Sequence, residues 1–561
     1  MRKKTWLLLA AVALLGGEAA LAQVVRSKSS RPDIQPSPLG SKLLDCALNT
    51  GLCTELGKRY ISGWRYSGHD EPSLIFYSSA PGAGNTGVYL IILPTDPPTA
   101  PLQDGTGGTF NFQLYPSFWV GMALCDTQSY PNYTSVCVPD SDSNIYDSPD
   151  ATDPHYIGHH PGTAFLELQF YPPGWVDTPY LIDASQWLVA INIDSDGESL
   201  TQENNPDCLN DFGGSPESVN FAFITRDGIP LFPPNPLGIA FPSSVSRYDL
   251  SQVLTLNPGD VVVVVLRDTS QGLRVTVNDL TTGASGAMTA SAQNGFGQVV
   301  FDPNAKTCSV RPYSFHPMYS TSTVHTRVPW AAHSYNTAFS DEIGHFEYCD
   351  QANAQTLNCT QAGVNDKDNG DGLDADDALC LTPSLQGFPP PPFIQIGGCT
   401  TTETDFDGVS YQKNWPGTFR NADEDFRVHP TPIRLMSPLF RGPNGLENYS
   451  QVGFETDLPG IEYATHPACN QRTGEGCANP PPRASFYPFY STTTLGGVCF
   501  WQLGGDYIPG TTNDFGGSPQ AAFGSLVPLV YATSKGGSIS LYEDFRRILS
   551  NNPCPAPAAL R

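Results

Sequence analysis

Positive charge is scarce in this chain. Lys and Arg total 29 against 55 Asp and Glu, a formal net charge of −26. Proteins that hold nucleic acid or an anionic membrane by charge need clustered Lys and Arg, so neither is expected as a partner. Long apolar runs are also missing from the body of the chain. The longest, VVVVVL at 261–266, is far below the roughly 20 residues that cross a bilayer, and no membrane span is expected. No two cysteines stand in C-x-x-C spacing, so a zinc reading is weak. The G-x-S-x-G elbow of serine hydrolases, the Gly-rich phosphate loop and any long helical period are absent as well.

Charged residues make up only 15 % of the chain, while Gly (53) and Pro (52) are abundant. Proline opposes long helices, and this composition suits short strands joined by ordered turns. Segments 87–93 (GVYLIIL), 165–171 (FLELQFY), 187–193 (WLVAINI) and 219–225 (VNFAFIT) are rich in β-branched and aromatic residues and bounded by Pro, Gly or Asp. In Leu273–Leu280 apolar and polar residues alternate, the mark of a half-buried strand. Thr281-Thr282-Gly283 then turns the chain, so 253–302 reads as a β-meander. Short helices are expected near 41–56 and 541–550, where apolar residues recur every three or four positions. The fold class is therefore mainly β: jelly-roll-like β-sandwich modules, disulfide-rich, with few short helices.

The N-terminus has the form of an export signal: Arg2, Lys3 and Lys4, then an apolar run, then Ala20-Leu21-Ala22 before Gln23. Fourteen cysteines, with Cys46/Cys53, Cys125/Cys137, Cys349/Cys359 and Cys469/Cys477 close in sequence, fit an oxidising compartment. The protein is expected to be secreted, extracellular or periplasmic. The organisation expected is a signal peptide at 1–22, a Cys-containing segment at 23–60, and a β-sandwich region at 61–349. An Asp/Cys-rich insert follows at 350–400, closing on the stiff GFPPPPF linker, with a C-terminal β-module at 401–561. SFHPMYSTSTV at 314–324 returns as SFYPFYSTTTL at 485–495, and NDFGGSP at 210–216 returns at 513–519. These repeats relate the two modules, or mark two similar turns.

Two stretches carry candidate chemistry. Residues 314–349 hold His316, His325, His333 and His345, four of the ten histidines. The repeat has Tyr487 in place of His316, so the frame forms without imidazole, and the later histidines are unique to this copy. On a strand over 340–349, Asp341, Ile343, His345 and Glu347 share one face, with adjacent same-face residues about 7 Å apart. Asp341, His345 and Glu347 could hold an ion or a reacting group, or form a surface ladder. His316, His325 and His333 offer an alternative metal site.

Glu342–Glu347 (EIGHFE) resembles the E-[ILV]-D-x-x-E strand of the laminarinase-like retaining glycoside hydrolases, with Gly344 in place of the Asp. That likeness implies a jelly roll with Glu342 as nucleophile and Glu347 as acid/base, and it covers six residues. The second stretch, VNDKDNGDGLDADDALC, places Asp366, Asp368, Asp371, Asp374, Asp376 and Asp377 within twelve residues. Alternating oxygen ligands around a glycine suit calcium, although Gly372 stands one place later than in an EF-hand. A solvated acidic loop is the alternative.

The functions weighed are binding or hydrolysis of an extracellular glycan or glycoconjugate, non-catalytic adhesion with structural calcium, and His/carboxylate metal catalysis. The Asp-rich insert makes the first prediction: elemental analysis of purified protein finds bound calcium, and chelation lowers the melting temperature. Protein that carries no calcium and is indifferent to chelator removes this reading.

Overall fold

The structure is a computed structural model. It describes most of residues 73–98, 118–126, 163–173, 185–196, 217–237, 250–317, 431–456, 490–503 and 539–560. It also describes short strands at 336–339, 349–352, 359–362, 367–368, 372–373, 405–406, 460–461 and 525–532. The chain is mainly β. A ten-stranded and a nine-stranded sheet hold most of the strands.

The ten-stranded sheet runs Ser525–Ala532, Ile539–Leu549, Gln451–Thr456, Ser73–Tyr77, Asn336–Phe339, Phe118–Cys125, Thr163–Tyr171, Trp187–Asp196, Glu217–Phe223, with Thr255–Leu256 also on Trp187–Asp196. The nine-stranded sheet runs Ser285–Thr289, Gly272–Asp279, Val261–Thr269, Thr86–Ile92, Arg434–Leu435, Val498–Leu503, Tyr490–Leu495, with Leu439–Gly442 and Gly445–Asn448 attached beside Thr86–Ile92. Strands from both sides of residues 350–400 lie in both sheets.

The strand segments read from composition form as expected, and 253–302 is a meander whose turn holds Gly283 at φ 81°. Alternation in Gly272–Asp279 is carried into burial: Leu273, Val275 and Val277 are fully buried while Arg274 is exposed. Val261–Thr269 does not alternate, because both of its faces are covered. Val262, Val264 and Leu266 join the main core, while Val261 and Val263 join a second cluster with Val88, Leu90, Met436 and Phe500. A strand buried on both sides reads as a continuous apolar run.

The main core brings the two sheets together: Leu166, Leu168, Phe170, Val189, Ile191 and Ile193 of the large sheet pack in one cluster with Tyr89, Ile91, Val264, Val275 and Trp501 of the other.

One expectation is corrected. Residues 541–549 are strand, within Ile539–Leu549, and not a short helix; pairing on one side with Ser525–Ala532 and on the other with Gln451–Thr456 overrides the local spacing. The tail past Cys554 is also ordered. Ala558–Leu560 forms a 3₁₀ turn, and Ala556 and Leu560 are buried in the second cluster. The Cys499–Cys554 disulfide ties this tail to the sheet across 55 residues. Cys308 is also disulfide-bonded, and among the described residues no cysteine is free. The short helix expected at 41–56 and both NDFGGSP copies lie outside the described residues.

Ser437 joins the tail to the core. Its hydroxyl accepts from the buried Trp501 Nε1 at 2.9 Å and donates to the Cys554 carbonyl at 2.6 Å. Ser437→Ala leaves an indole N–H without its partner in the interior and is expected to cost about 1–3 kcal/mol, read from urea unfolding. An unchanged midpoint contradicts this role.

Candidate functional site

The strand Thr163–Tyr171 places its side chains alternately inward and outward. Ala164, Leu166, Leu168 and Phe170 point into the core and are fully buried. Glu167, Gln169 and Tyr171 lie on the opposite, outer face. The register sets Glu167 between Gly121 and Asn192, and Gln169 between Trp119 and Ala190. Asn192 and Ala190 in turn face Phe221 and Phe223.

The polar side chains form one directed chain. Asn192 Nδ2 donates to the Tyr171 hydroxyl at 3.2 Å. That hydroxyl donates to Gln169 Oε1 at 2.5 Å, and Gln169 Nε2 donates to Glu167 Oε2 at 2.6 Å. Because Gln169 accepts through its oxygen, its amino group must face the carboxylate. Each bond polarises the next, so the chain holds Glu167 in place as an acceptor.

Tyr171 and Asn192 are 2 % and 5 % exposed, whereas Glu167 and Gln169 are half-buried. The chain therefore comes nearest to the surface at its carboxylate end. Trp119, 1 % exposed, stands on one side. On the other, Phe232 packs over Phe221 and Phe223, with centroids 6.2 and 6.4 Å away. Asp194, half-buried, lies on the same face one pair beyond Asn192. As a diagonal neighbour of Glu167 it stands roughly 7–8 Å away. The arrangement is a polar strip between aromatic walls, with two carboxylates at its accessible edge.

None of these residues is a site predicted from sequence. Their signal is the alternation inside FLELQFY, in which two polar residues, spaced by two, interrupt an apolar run.

Of the predicted residues, Asp341, Glu342, His345, Glu347, His325 and His333 lie outside the described residues, as do Asp366, Asp371, Asp374, Asp376 and Asp377. Asp368 is placed only as backbone, in the short strand Lys367–Asp368. The described strand Asn336–Phe339 ends two residues before Asp341 and pairs with Phe118–Cys125, the strand of Trp119 and Gly121.

His316 is described. Its Nδ1 lies 2.7 Å from Asp268 Oδ1, with the two side chains 25 % and 20 % exposed. The neighbouring Phe315 exchanges backbone bonds with Leu273 and Ala290, so the pair joins the 313–317 segment to the end of the Val261–Thr269 strand. Among the described residues no three His, Cys, Asp or Glu side chains gather as a metal would require.

A second carboxylate pair, Asp260 and Asp279, is 3 % and 2 % exposed. These acids cap turns. Asp260 Oδ2 accepts from the Asn257 backbone N–H at 2.7 Å and its amide at 3.1 Å. Asp279 accepts from the Thr281 and Thr282 backbone N–H groups and the Thr282 hydroxyl. Burial above all, with the Asp279 carboxylate adding to it against the Asn257 bonds, pushes Asp260 up to about 6.

No protein-family model and no curated protein matches the chain. Among solved structures, it is similar to SCP-B, a member of the Eqolisin family of peptidases in complex with the tripeptide Ala-Ile-His. The identity is 7 %, covering 77 % of this chain and 96 % of that one, with a TM-score of 0.19. It is also similar to the enzymatically active domain of bacteriophage CBA120 tailspike protein 2. There the identity is 13 %, covering 52 % of this chain and 23 % of that one, with a TM-score of 0.16. Likenesses at these scores carry no argument about fold or chemistry.

The Asp260 shift has a defined sign. A carboxyl raised in the folded state adds stability that is complete below its unfolded value, about 3.9, and is lost as pH climbs through about 6. Asp260→Asn keeps an acceptor for Asn257 and removes the charge. It is expected to raise the melting temperature at pH 7.5 and to leave it nearly unchanged at pH 3.5. A fall at pH 7.5 contradicts this account.

Proposed function

We propose that this protein binds an extracellular neutral glycan or glycoconjugate on the outer face of its larger sheet and hydrolyses it there with paired carboxylates. The observation that carries the proposal is the hydrogen-bonded chain Asn192–Tyr171–Gln169–Glu167 set between aromatic walls. Sugar rings present hydroxyls that bridge carboxylate and amide groups, and apolar C–H faces that suit aromatic walls; small-ligand sites combine such groups. The walls limit water around Glu167, which strengthens each polar contact there.

Glu167 and Asp194, diagonal neighbours on one face, are the candidates for the two carboxyls of an inverting glycosidase, which stand about 6.5–9.5 Å apart, one acting as acid and the other as base for a water. Glu167, held by Gln169, suits the base. The acids Asp341, Glu342 and Glu347 with His345 belong to the same proposal as a second carboxylate source, since the strand preceding them borders the site. A jelly-roll-like plan, export from the cell, and calcium at Asp366–Asp377 complete the reading.

Reducing-end release from a panel of neutral polysaccharides tests it. Wild-type protein releases product from at least one. Glu167→Gln lowers turnover about 10²-fold or more while its melting temperature stays near that of the wild type. Binding without release in both proteins reduces the reading to recognition alone. Cleavage of casein that is lost in Glu167→Gln keeps the site and moves the substrate to peptide. Full activity in the variant removes Glu167 from the site.

A further inference from the structure

Cations are scarce in this chain, yet three arginines stand along one row of the nine-stranded sheet. Register sets Arg267 of Val261–Thr269 directly opposite Arg274 of Gly272–Asp279. Thr86 lies on the far side of Arg267, and Thr289 on the far side of Arg274. Leu439 pairs with Val88 in an antiparallel register, so Arg441, two residues on, comes beside Thr86. The row therefore runs Arg441, Thr86, Arg267, Arg274, Thr289. Alternation puts it on the face away from the main core. Val88, Val263 and Leu439 belong to the second cluster, and Val265 packs against it. All three arginines are exposed to solvent.

This placement opposes folding. Directly opposite residues of an antiparallel pair have Cβ atoms roughly 4.5–5.5 Å apart, and like charges there repel. Among the described residues no carboxylate pairs with these arginines. Asp268, next to Arg267 in sequence, points to the other face with Leu266, and its Oδ1 lies 2.7 Å from His316 Nδ1. Glu447 stands opposite Phe440, whose side chain is in the main core. The Glu447 carboxylate lies where a Gly442 side chain would project, on that same face, and accepts from the Asn444 N–H at 3.3 Å. Among the described residues, the three guanidiniums make one hydrogen bond, from Arg274 Nη1 to the Thr289 hydroxyl at 3.3 Å. Each guanidinium has five N–H donors, so nearly all are open to a ligand.

The geometry decides the class of ligand. A guanidinium offers a planar fork of N–H groups that matches an edge of an oxyanion. A tetrahedral oxyanion presents an edge to each of two neighbouring forks, whereas a carboxylate has a single edge. The net charge of −26 opposes a long polyanion, so the row suits one local group. We propose that Arg267 and Arg274, with Arg441 at the rim, bind a single sulfate or phosphate group, free or as the monoester of a small ligand. The site is on the other sheet from Glu167 and does not depend on the reading given to that residue.

Calorimetry of the full-length protein at low ionic strength and pH 7 tests this with inorganic sulfate, inorganic phosphate, glucose 6-sulfate and glucose 6-phosphate. At least one is expected to bind saturably in the millimolar range or tighter, and added sodium chloride weakens it. An ester that binds more tightly than both ions assigns the site to an ester; equal binding assigns it to the free ion. Arg267→Gln and Arg274→Gln each weaken binding about tenfold or more, and Arg441→Gln weakens it less. Without ligand, the first two variants melt at or above the wild-type temperature, because the repulsion is relieved. The bound oxyanion raises the melting temperature of the wild type and not that of the Arg267→Gln/Arg274→Gln double variant. The proposal is overturned if none of the four probes binds saturably, or if both single variants bind as tightly as the wild type. Single variants that melt well below the wild type also overturn it, since the pair would then serve the fold.

Discussion

The fold depends on the pairing of Thr86–Ile92 with Val261–Thr269. Seven consecutive residue pairs, Thr86↔Arg267 to Ile92↔Val261, lie in register. Both strands are buried on both faces for most of their length, because Tyr89, Ile91, Val262 and Val264 meet the larger sheet while Val88, Leu90, Val261 and Val263 meet the tail and its neighbours. A one-residue slip would exchange these two sets. The outer cluster is closed by Ala556 and Leu560, which explains why a proline-rich terminus is ordered and why a disulfide fixes it there.

That central pairing also positions the candidate site. The main core covers the inner face of Thr163–Tyr171 and Trp187–Asp196, so their outer residues project from a rigid backbone. Sites on regular elements hold their geometry better than sites on loops. Glu167 takes its place from register, between Gly121 and Asn192, and its orientation from a hydrogen-bond chain that starts at a nearly buried asparagine. The carboxylate pair at Asp260 and Asp279 shows the contrast. Its acids are buried and satisfied by their own turns, so the raised Asp260 carboxyl is a property of the fold and needs no substrate.

Much of the architecture was legible in the sequence because strands bury alternate or continuous apolar residues, and FLELQFY, WLVAINI and LRVTVNDL say so directly. The strand at Ile539–Leu549 has a local spacing that fits a helix, and only partners far away in sequence, at Gln451–Thr456 and Ser525–Ala532, decide otherwise. The same non-local pairing places strands from both sides of the Pro-rich 387–393 stretch in common sheets, which a composition shift does not reveal. For the site, dense clusters of His and Asp drew attention to 314–349 and 366–377. The group that the fold assembles is sparser in sequence. Glu167 and Gln169 are two residues apart, but Asn192 and Phe221 join them only through register. His316 met Asp268, 48 residues earlier, a partner that no spacing rule could supply.

The central claim is that ligand contacts the outer face around Glu167. Carbene footprinting of the full-length protein, with and without a saturating neutral oligosaccharide, addresses it most directly. The account predicts ligand-dependent protection of the peptides spanning Thr163–Tyr171 and Trp187–Asp196, with the Gly272–Asp279 hairpin unchanged. Ligand binding that leaves both outer-face peptides as reactive as in the free protein would contradict it.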